Sequence, residues 1–165
     1  MSTILVGVKV QASADLAFRL FTENPQAWWL PNDCFEFSSK GPGKLKFLEG
    51  TPGQFVEKYA DGSFFPIGDI LVWEPGRELV FTWRQERFDF GVETVVQVIF
   101  TAMGDMTRVS VLHKGWGSIA PELAAARSEI APIFLPTFTH WWQDSLATFD
   151  AVLAGHGQVS QYPTH

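Results

Sequence analysis

The stretch GDILVWEPGRELVFTW, residues 68–83, contains two strand-like runs separated by one Pro-Gly pair. Each run is rich in β-branched and aromatic residues, and Pro75-Gly76 is a strong turn signal. Two strands joined by so short a connection pair antiparallel, because a parallel crossover needs roughly a dozen residues. The stretch therefore predicts a β-hairpin in the middle of the chain.

The same pattern of short runs and turns continues on both sides of this hairpin. Gly-Pro, Pro-Gly, Asp-Gly and Gly-Asp pairs separate further strand-like runs. These runs are CFEFSS (34–39), KLKFLEG (44–50), QFVEKYA (54–60), ETVVQVIFTA (93–102) and MTRVSVLHKGW (106–116). Their spacing predicts an antiparallel meander.

Helices are predicted near both ends of the chain. ILVGVKVQAS starts as a strand, and Ser13 is a good N-cap for a helix that follows it. Asn24-Pro25 predicts a second, short helix that carries Trp28 and Trp29 and ends at Pro31.

The C-terminal third reads as helix. APELAAARSEIA, residues 120–131, is made of good helix formers, and Pro132 and Pro136 predict a break or kink after it. An apolar stripe at helical spacing then predicts one long amphipathic helix, formed by Phe138, Trp141, Trp142, Leu146, Phe149, Val152 and Leu153. We expect one α+β domain over residues 1–155 and a loose tail over 156–165.

Composition excludes several classes of function. The net charge is −6 and the sequence has no run of Lys and Arg, so we expect no nucleic-acid partner. No apolar segment approaches the roughly 20 residues that span a bilayer, and no signal peptide is evident, so we expect a cytoplasmic protein without a membrane partner. Cys34 is the single cysteine, and His140, His156 and His165 lack ligand spacing, so neither a metal nor a cofactor is predicted.

Three motifs resemble one protein family. FTENPQAWWLP, GDILVWEPGRELVFTW and TRVSVLHKGW, in this order, are similar to motifs of the activator of heat-shock-protein-90 ATPase homologue-like family. The resemblance is to the type that matches the C-terminal domain of the eukaryotic co-chaperone, within the START-like (SRPBCC) superfamily that includes the birch pollen allergen. It covers about residues 3–153.

The resemblance implies a helix-grip fold. In that fold a curved, seven-stranded antiparallel sheet surrounds a long C-terminal helix, two short helices follow strand 1, and the sheet and long helix enclose a hydrophobic cavity. The resemblance also implies a small hydrophobic molecule as the partner in many members. Relatives include ligand carriers, cyclase/aromatase enzymes and co-chaperones, so the fold does not fix the function.

Strand alternation selects the residues expected to line such a cavity. His113 and Glu57 are its predicted polar members, with His113 either a polar anchor for the ligand or a satisfied core histidine. Glu57 is expected at the mouth, where water can reach it. The full predicted set is Trp29, Phe55, Glu57, Tyr59, Phe81, Trp83, Val98, Val111, His113, Trp116, Phe134, Phe138, Trp141 and Trp142. Of the Trp28-Trp29 doublet, we expect Trp29 to be the better buried.

Three functions remain open at this point. The favoured one is a carrier or sensor that binds a small lipophilic or aromatic molecule. A cyclase/aromatase-like enzyme is the second, although no catalytic residue is assigned because no nucleophile or second base is evident. The third is a protein-interaction module that contacts a chaperone. A homodimer is also possible, because an open sheet has exposed edges.

Overall fold

The computed structural model describes residues 3–32, 34–125 and 133–161. Strand β1 (Ile4–Val10) is followed by helix α1 (Ala14–Glu23) and a 3-10 turn (Pro25–Ala27). Six strands come next: β2 (Lys44–Leu48), β3 (Gln54–Lys58), β4 (Phe64–Glu74), β5 (Glu78–Trp83), β6 (Thr94–Met103) and β7 (Met106–Lys114). A 3-10 turn (Trp116–Ser118), helix α2 (Pro121–Ala124) and helix α3 (Phe134–Gln161) complete the described chain.

The seven strands form one antiparallel sheet in the order β1-β7-β6-β5-β4-β3-β2. Each strand from β2 to β6 pairs with the next strand along the chain, as the hairpin and its neighbours predict, and β1 pairs with β7. The central hairpin forms in the register Trp73↔Leu79 and Glu74↔Glu78. Together with the long helix α3, this sheet confirms the helix-grip fold.

Strand β4 joins the two halves of the sheet. Its first half, up to Asp69, pairs with β3, and its second half, from Ile70, pairs with β5. Both ladders shift register here, between Phe55 and Val56 on one side and between Ile70 and Val72 on the other. Irregularities of this kind bend a strand and increase the local twist. The sheet can therefore curl around α1 and α3.

The first helix is capped as the sequence predicts. The Ser13 hydroxyl accepts a hydrogen bond from the Leu16 amide at 3.1 Å. Pro25 is the first residue of the following turn, but Asn24 makes no side-chain cap there, and the turn ends at Ala27. The predicted short helix is therefore a single 3-10 turn, and both Trp28 and Trp29 follow it.

The run CFEFSS is not a strand, which corrects the prediction. The Cys34 and Phe35 amides donate to the Asn32 side-chain oxygen, and the Phe37 carbonyl accepts from the Glu86 amide at 2.7 Å. These groups bond with side chains and a loop, so they form no strand ladder. Phe35 and Phe37 are still buried, which explains the alternation in the sequence.

The prolines before the long helix act differently from the prediction. Helix α3 begins at Phe134, so Pro136 lies in its first turn and does not break it. The first-turn amides have no intrahelical acceptor, and a proline there costs no hydrogen bond. The break expected at Pro132 and most of the helix expected over 120–131 lie outside the described residues. At the other end α3 continues to Gln161, into the range 156–165 where we expected a loose tail.

The hydrophobic core lies between the concave face of the sheet and helices α1 and α3. Phe18 of α1 packs on Phe100 of β6 at 5.2 Å between ring centroids, and Phe149 of α3 packs on Phe21 at 5.8 Å. None of the helices in the described ranges is long and apolar enough to cross a lipid bilayer.

Candidate functional site

A cavity of about 1200 Å³ opens beside the sheet edge formed by β2 and β3. One wall is the segment between α1 and β2, and the other is formed by β2, β3 and the turn after β3. The lining residues are Gln26, Trp29, Leu30, Pro31, Asn32, Phe35, Glu36, Phe37, Lys40, Gly41, Pro42, Gly43, Lys44, Leu45, Lys46, Glu57, Lys58, Tyr59 and Ala60. Its volume is sufficient for a drug-sized molecule.

Three aromatic rings form the apolar wall of this cavity. Trp29 packs 5.8 Å from Phe55 and 6.1 Å from Phe37, and Phe37 packs 5.4 Å from Phe35. Phe35 stacks on Phe138 of α3 at 4.9 Å, which fixes the wall to the core. Rigid rings held in this way offer a ligand a large contact area at little cost in conformational entropy.

The polar residues of the cavity are centred on Glu57. Glu57 is only 4% exposed, and its Oε1 accepts a hydrogen bond from the Tyr59 hydroxyl at 2.7 Å. The same hydroxyl makes a short hydrogen bond with Ser38. Within the described residues, no hydrogen bond reaches Glu57 Oε2. This oxygen is not among the buried atoms that lack a partner, so solvent reaches it and it is available to a donor on a ligand or to water.

Glycines allow the Glu57 side chain to lie under the Gly41-Pro42-Gly43 turn. A Cβ at position 41 would lie 3.0 Å from Glu57 Oε1, and a Cβ at position 43 would lie 2.3 Å from the Lys58 carbonyl oxygen. Side chains at these positions would displace Glu57 or part the turn from β3. The sequence shows a Gly-Pro-Gly turn at residues 41–43, but it does not show that Glu57 packs beneath this turn.

Burial and the neighbouring carboxylate raise the pKa of Tyr59 to about 12. Desolvation of the phenolate is the largest cause, and the hydrogen bond and charge of Glu57 add to it, while the Ser38 hydrogen bond acts in the opposite direction. Tyr59 is therefore a neutral hydrogen-bond donor at physiological pH.

This pKa can be measured directly, because the chain has only two tyrosines, Tyr59 and Tyr162. We expect alkaline titration of the tyrosinate absorbance to contain a component with a pKa of about 12. Tyr59→Phe should remove that component. Glu57→Gln should lower its pKa towards the ordinary value of about 10 without reaching it, because burial remains the largest cause. An unchanged high component in Tyr59→Phe would contradict the assignment.

His113 does not lie at this cavity. It is fully buried between Trp83, Trp116 and Phe138, with ring centroids at 4.7, 4.8 and 5.3 Å. Desolvation holds its pKa well below the usual value, so the ring is neutral.

The hydrogen bonds of His113 fix its tautomer. The Trp142 indole N–H can only donate, and it donates to Nδ1 at 3.2 Å. The proton of the neutral ring is therefore on Nε2, which donates to the Thr94 hydroxyl at 2.8 Å. That hydroxyl in turn donates to the Trp83 carbonyl at 3.3 Å. Both ring nitrogens are satisfied within the core, which agrees with the interpretation of His113 as a core histidine.

The two tryptophan doublets divide between core and cavity. Trp28 is 1% exposed and packs on Phe21 at 4.5 Å, whereas Trp29 is partly exposed and lines the cavity. The expectation that Trp29 is the better buried is therefore wrong. Trp28 directly follows the 3-10 turn, and its ring enters the space between α1 and α3. The second doublet is anchored by both indoles, since Trp141 donates to the Leu30 carbonyl and Trp142 donates to His113.

Of the residues expected to line a cavity, the structure places three at this one: Trp29, Glu57 and Tyr59. The others belong to the packed core beside it, and they are Phe55, Phe81, Trp83, Val98, Val111, His113, Trp116, Phe134, Phe138, Trp141 and Trp142. Strand alternation identifies an inward residue but not whether rings fill the space in front of it. The sequence analysis did not identify Phe35, Phe37 or the cavity lysines as lining residues. The only sign of Phe35 and Phe37 in the sequence was the alternation in CFEFSS, which was interpreted as a strand.

Comparison with known proteins identifies one family and several solved structures of similar fold. The family model described as "Activator of Hsp90 ATPase homolog 1-like protein" matches residues 11–154. No curated protein sequence matches the chain.

Three solved structures illustrate the fold. DynU16, from the dynemicin biosynthetic locus, is 20% identical with a TM-score of 0.62, and the match covers 93% of this chain but 48% of that one. An Hsp90 activator from Plasmodium falciparum is 14% identical with a TM-score of 0.60, covering 93% of this chain and 97% of the other. The anthrahydroquino-γ-pyrone synthase Txn09 is 25% identical with a TM-score of 0.53, and the match covers 92% of this chain and 97% of that one.

Proposed function

Because this chain belongs to the family of activator of Hsp90 ATPase homolog 1-like proteins, we propose that it binds a small lipophilic or aromatic molecule in the cavity beside β2 and β3. Proteins of this family and its START-like relatives bind hydrophobic ligands. The proposed role is that of a carrier or sensor. The observation that carries the proposal is the cavity itself, with its aromatic wall and one buried carboxylate.

The composition of the cavity wall supports this class of ligand. Trp29, Phe35, Phe37 and Leu45 are apolar residues of the lining, and Trp29 is the most exposed of the four. An apolar pocket with a few convergent polar groups is the usual form of a small-molecule site. Glu57 Oε2 is the polar atom that a hydroxyl or amine of the ligand would meet, while Tyr59 holds the other oxygen in place.

A neutral fluorescent probe, N-phenyl-naphthylamine, tests the proposal. We expect saturable binding with one probe per chain and enhanced probe emission. Trp29→Ala should weaken the affinity roughly tenfold, because a tryptophan that contacts a ligand commonly contributes more than about 1 kcal/mol. The affinity is obtained by fluorescence titration, with circular dichroism showing that the variant is folded.

Trp73→Ala is the matched control. Trp73 is a partly exposed tryptophan on β4 that packs against Phe18, and it does not line the cavity. We expect the same probe affinity as in the unmodified protein. The proposal fails if the probe does not bind saturably, or if both tryptophan variants lose affinity equally.

A cyclase-like enzyme is the second candidate, favoured by the likeness to Txn09, which is described as a synthase. In this alternative Glu57 would accept a proton from a molecule folded in the cavity, with Tyr59 as a neutral donor beside it. Native mass spectrometry identifies any molecule that co-purifies with the protein. The enzyme alternative predicts that its mass changes during incubation with the unmodified protein and not with Glu57→Gln.

A further inference from the structure

Glu57 lies on the same face of the sheet as the aromatic residues beside the cavity. In the β2–β3 ladder, Leu45 pairs with Glu57. Two positions along the same ladder, Phe47 pairs with Phe55 and stacks on its ring at 4.3 Å. Side chains two residues apart in a strand point to the same face, so Glu57 and Phe55 share one face of β3. Trp29 packs 5.8 Å from Phe55, and the cavity is lined by both Trp29 and Glu57.

A chain of hydrogen bonds is directed at the Glu57 carboxylate. The Tyr59 hydroxyl has one proton, which it donates to Glu57 Oε1 at 2.7 Å. In the short hydrogen bond between Tyr59 and Ser38, the donor is therefore the Ser38 hydroxyl. Ser38 Oγ in turn accepts from the Lys40 amide at 3.2 Å. Donors arranged in this direction stabilise the negative charge of a carboxylate, but they do not cancel it.

This negative charge has no cationic partner within the chain as far as the structure describes it. No lysine or arginine among the described residues forms an ion pair with Glu57. Lys40 lines the cavity, but its Nζ donates to Asp61 at 2.9 Å and to Ser63 at 2.8 Å. Because charged groups that are buried in proteins are normally paired, the buried Glu57 side chain leaves one charge to be compensated from outside the chain.

The lysines of β2 and β3 do not compensate the charge of Glu57 either. Lys44 and Lys46 flank Leu45 on β2. Lys58 follows Glu57 on β3. Successive side chains of a strand point to opposite faces, so these three exposed lysines extend from the face opposite to Glu57. The inward face of the two strands therefore combines apolar residues with one negative charge.

We propose that the ligand of this cavity is an arylalkylamine, whose protonated amino group donates a hydrogen bond to Glu57 Oε2 and whose aromatic body contacts Trp29. This inference rests on the proposed binding function. Tyr59 occupies Oε1, which leaves Oε2 as the acceptor for the ligand. A hydrogen bond between an ammonium group and a carboxylate is roughly twice as strong as one between neutral groups. An acid of the same size is disfavoured, because Glu57 repels an anion from the inward face.

Two dansyl probes separate the charge of a ligand from its apolar contact. Dansylcadaverine has a primary ammonium group at neutral pH, and its N-acetyl derivative has the same ring and chain without the charge. We expect the unmodified protein to bind the amine about tenfold more tightly than the acetylated probe. Glu57→Gln should remove this preference and leave the affinity for the acetylated probe unchanged, since glutamine keeps an oxygen that can accept from Tyr59.

The control variant removes a carboxylate elsewhere. Glu93 is exposed, precedes β6 and does not line the cavity, so Glu93→Gln should keep the preference for the amine. An equal loss of the preference in Glu93→Gln and Glu57→Gln would overturn the assignment to the buried carboxylate. Binding of the acetylated probe shows that Glu57→Gln is folded, and the two probes on the unmodified protein test the charge without any variant.

The outcomes distinguish the two proposals. If both probes bind with equal affinity and Glu57→Gln changes neither, the cationic ligand is wrong and the binding function stands. If neither probe binds saturably, both are wrong. Competition for bound dansylcadaverine separates a free amine from the lysine side chain of a protein. We expect 2-phenylethylamine to displace the probe and N-acetyl-lysine amide not to displace it, and equal displacement by the two would overturn the assignment to an arylalkylamine.

Discussion

Replacing Gly68 with alanine is expected to abolish stable folding. A Cβ built at this position lies 1.8 Å from the Thr82 carbonyl oxygen and 2.3 Å from its carbonyl carbon. Both atoms belong to the backbone of β5, so no side-chain rotation relieves the overlap. The substitution has to push β4 away from β5.

Separating β4 from β5 at this position should greatly reduce the free energy of unfolding. Gly68 lies where β4 leaves its pairing with β3 and begins its pairing with β5. Displacement there also breaks the bond from the Asp69 amide to the Thr82 hydroxyl at 2.8 Å and exposes Phe81 and Trp83. We expect a loss of more than about 4 kcal/mol in the free energy of unfolding, close to the whole stability of a typical domain.

Chemical denaturation followed by circular dichroism measures this loss. Gly155→Ala is the control: Gly155 lies in α3, and an added Cβ there meets no atom within 4 Å. That variant should be as stable as the unmodified protein or more stable by roughly 0.5–1 kcal/mol, because alanine is the better helix former. A soluble Gly68→Ala variant with near-normal stability would mean that β4 does not approach β5 as described.

The second large effect is acid destabilisation through His113. The unfolded chain has a histidine pKa of about 6.5, and the folded value lies well below this because the ring is buried. Above pH 6.5 both states are neutral at this residue. Below about pH 6.5 the unfolded chain takes up a proton that the folded chain excludes, so the free energy of unfolding falls as the pH falls.

The expected slope is about 1.4 kcal/mol per pH unit, which continues down to the folded pKa. Among the described residues, the groups in contact with the ring are aromatic rings and the Thr94 hydroxyl, which have no charge to stabilise the protonated form. Denaturation midpoints measured between neutral pH and pH 5 give the slope.

Two glutamine variants test whether His113 causes this dependence of stability on pH. His113→Gln should lose about 1–3 kcal/mol at neutral pH, because Thr94 and Trp142 no longer have their full set of partners. It should also lose the part of the slope that one proton contributes. His140→Gln, an exposed substitution on α3, should keep the slope of the unmodified protein. An equal slope in His113→Gln and the unmodified protein would show that another group causes the acid sensitivity.

Local patterns in the sequence determined most of the fold. Alternation and turn pairs predicted the meander, Ser13 marked the start of α1, and the aromatic stripe from Phe138 gave the buried face of α3. These signals work because they depend on residues close together in the chain, where backbone geometry fixes the period. The run CFEFSS shows their limit, since buried alternation without a neighbouring strand to bond with is not a strand.

Only the tertiary structure decided where the cavity lies and what surrounds it. Trp29, which follows α1, and Glu57 of β3 are far apart in the chain, yet both line the cavity. Likewise, the sequence does not reveal the partners of His113, because Thr94 of β6 and Trp142 of α3 lie far from it in the chain. Contacts between residues distant in the chain depend on packing and register, and no local period encodes them.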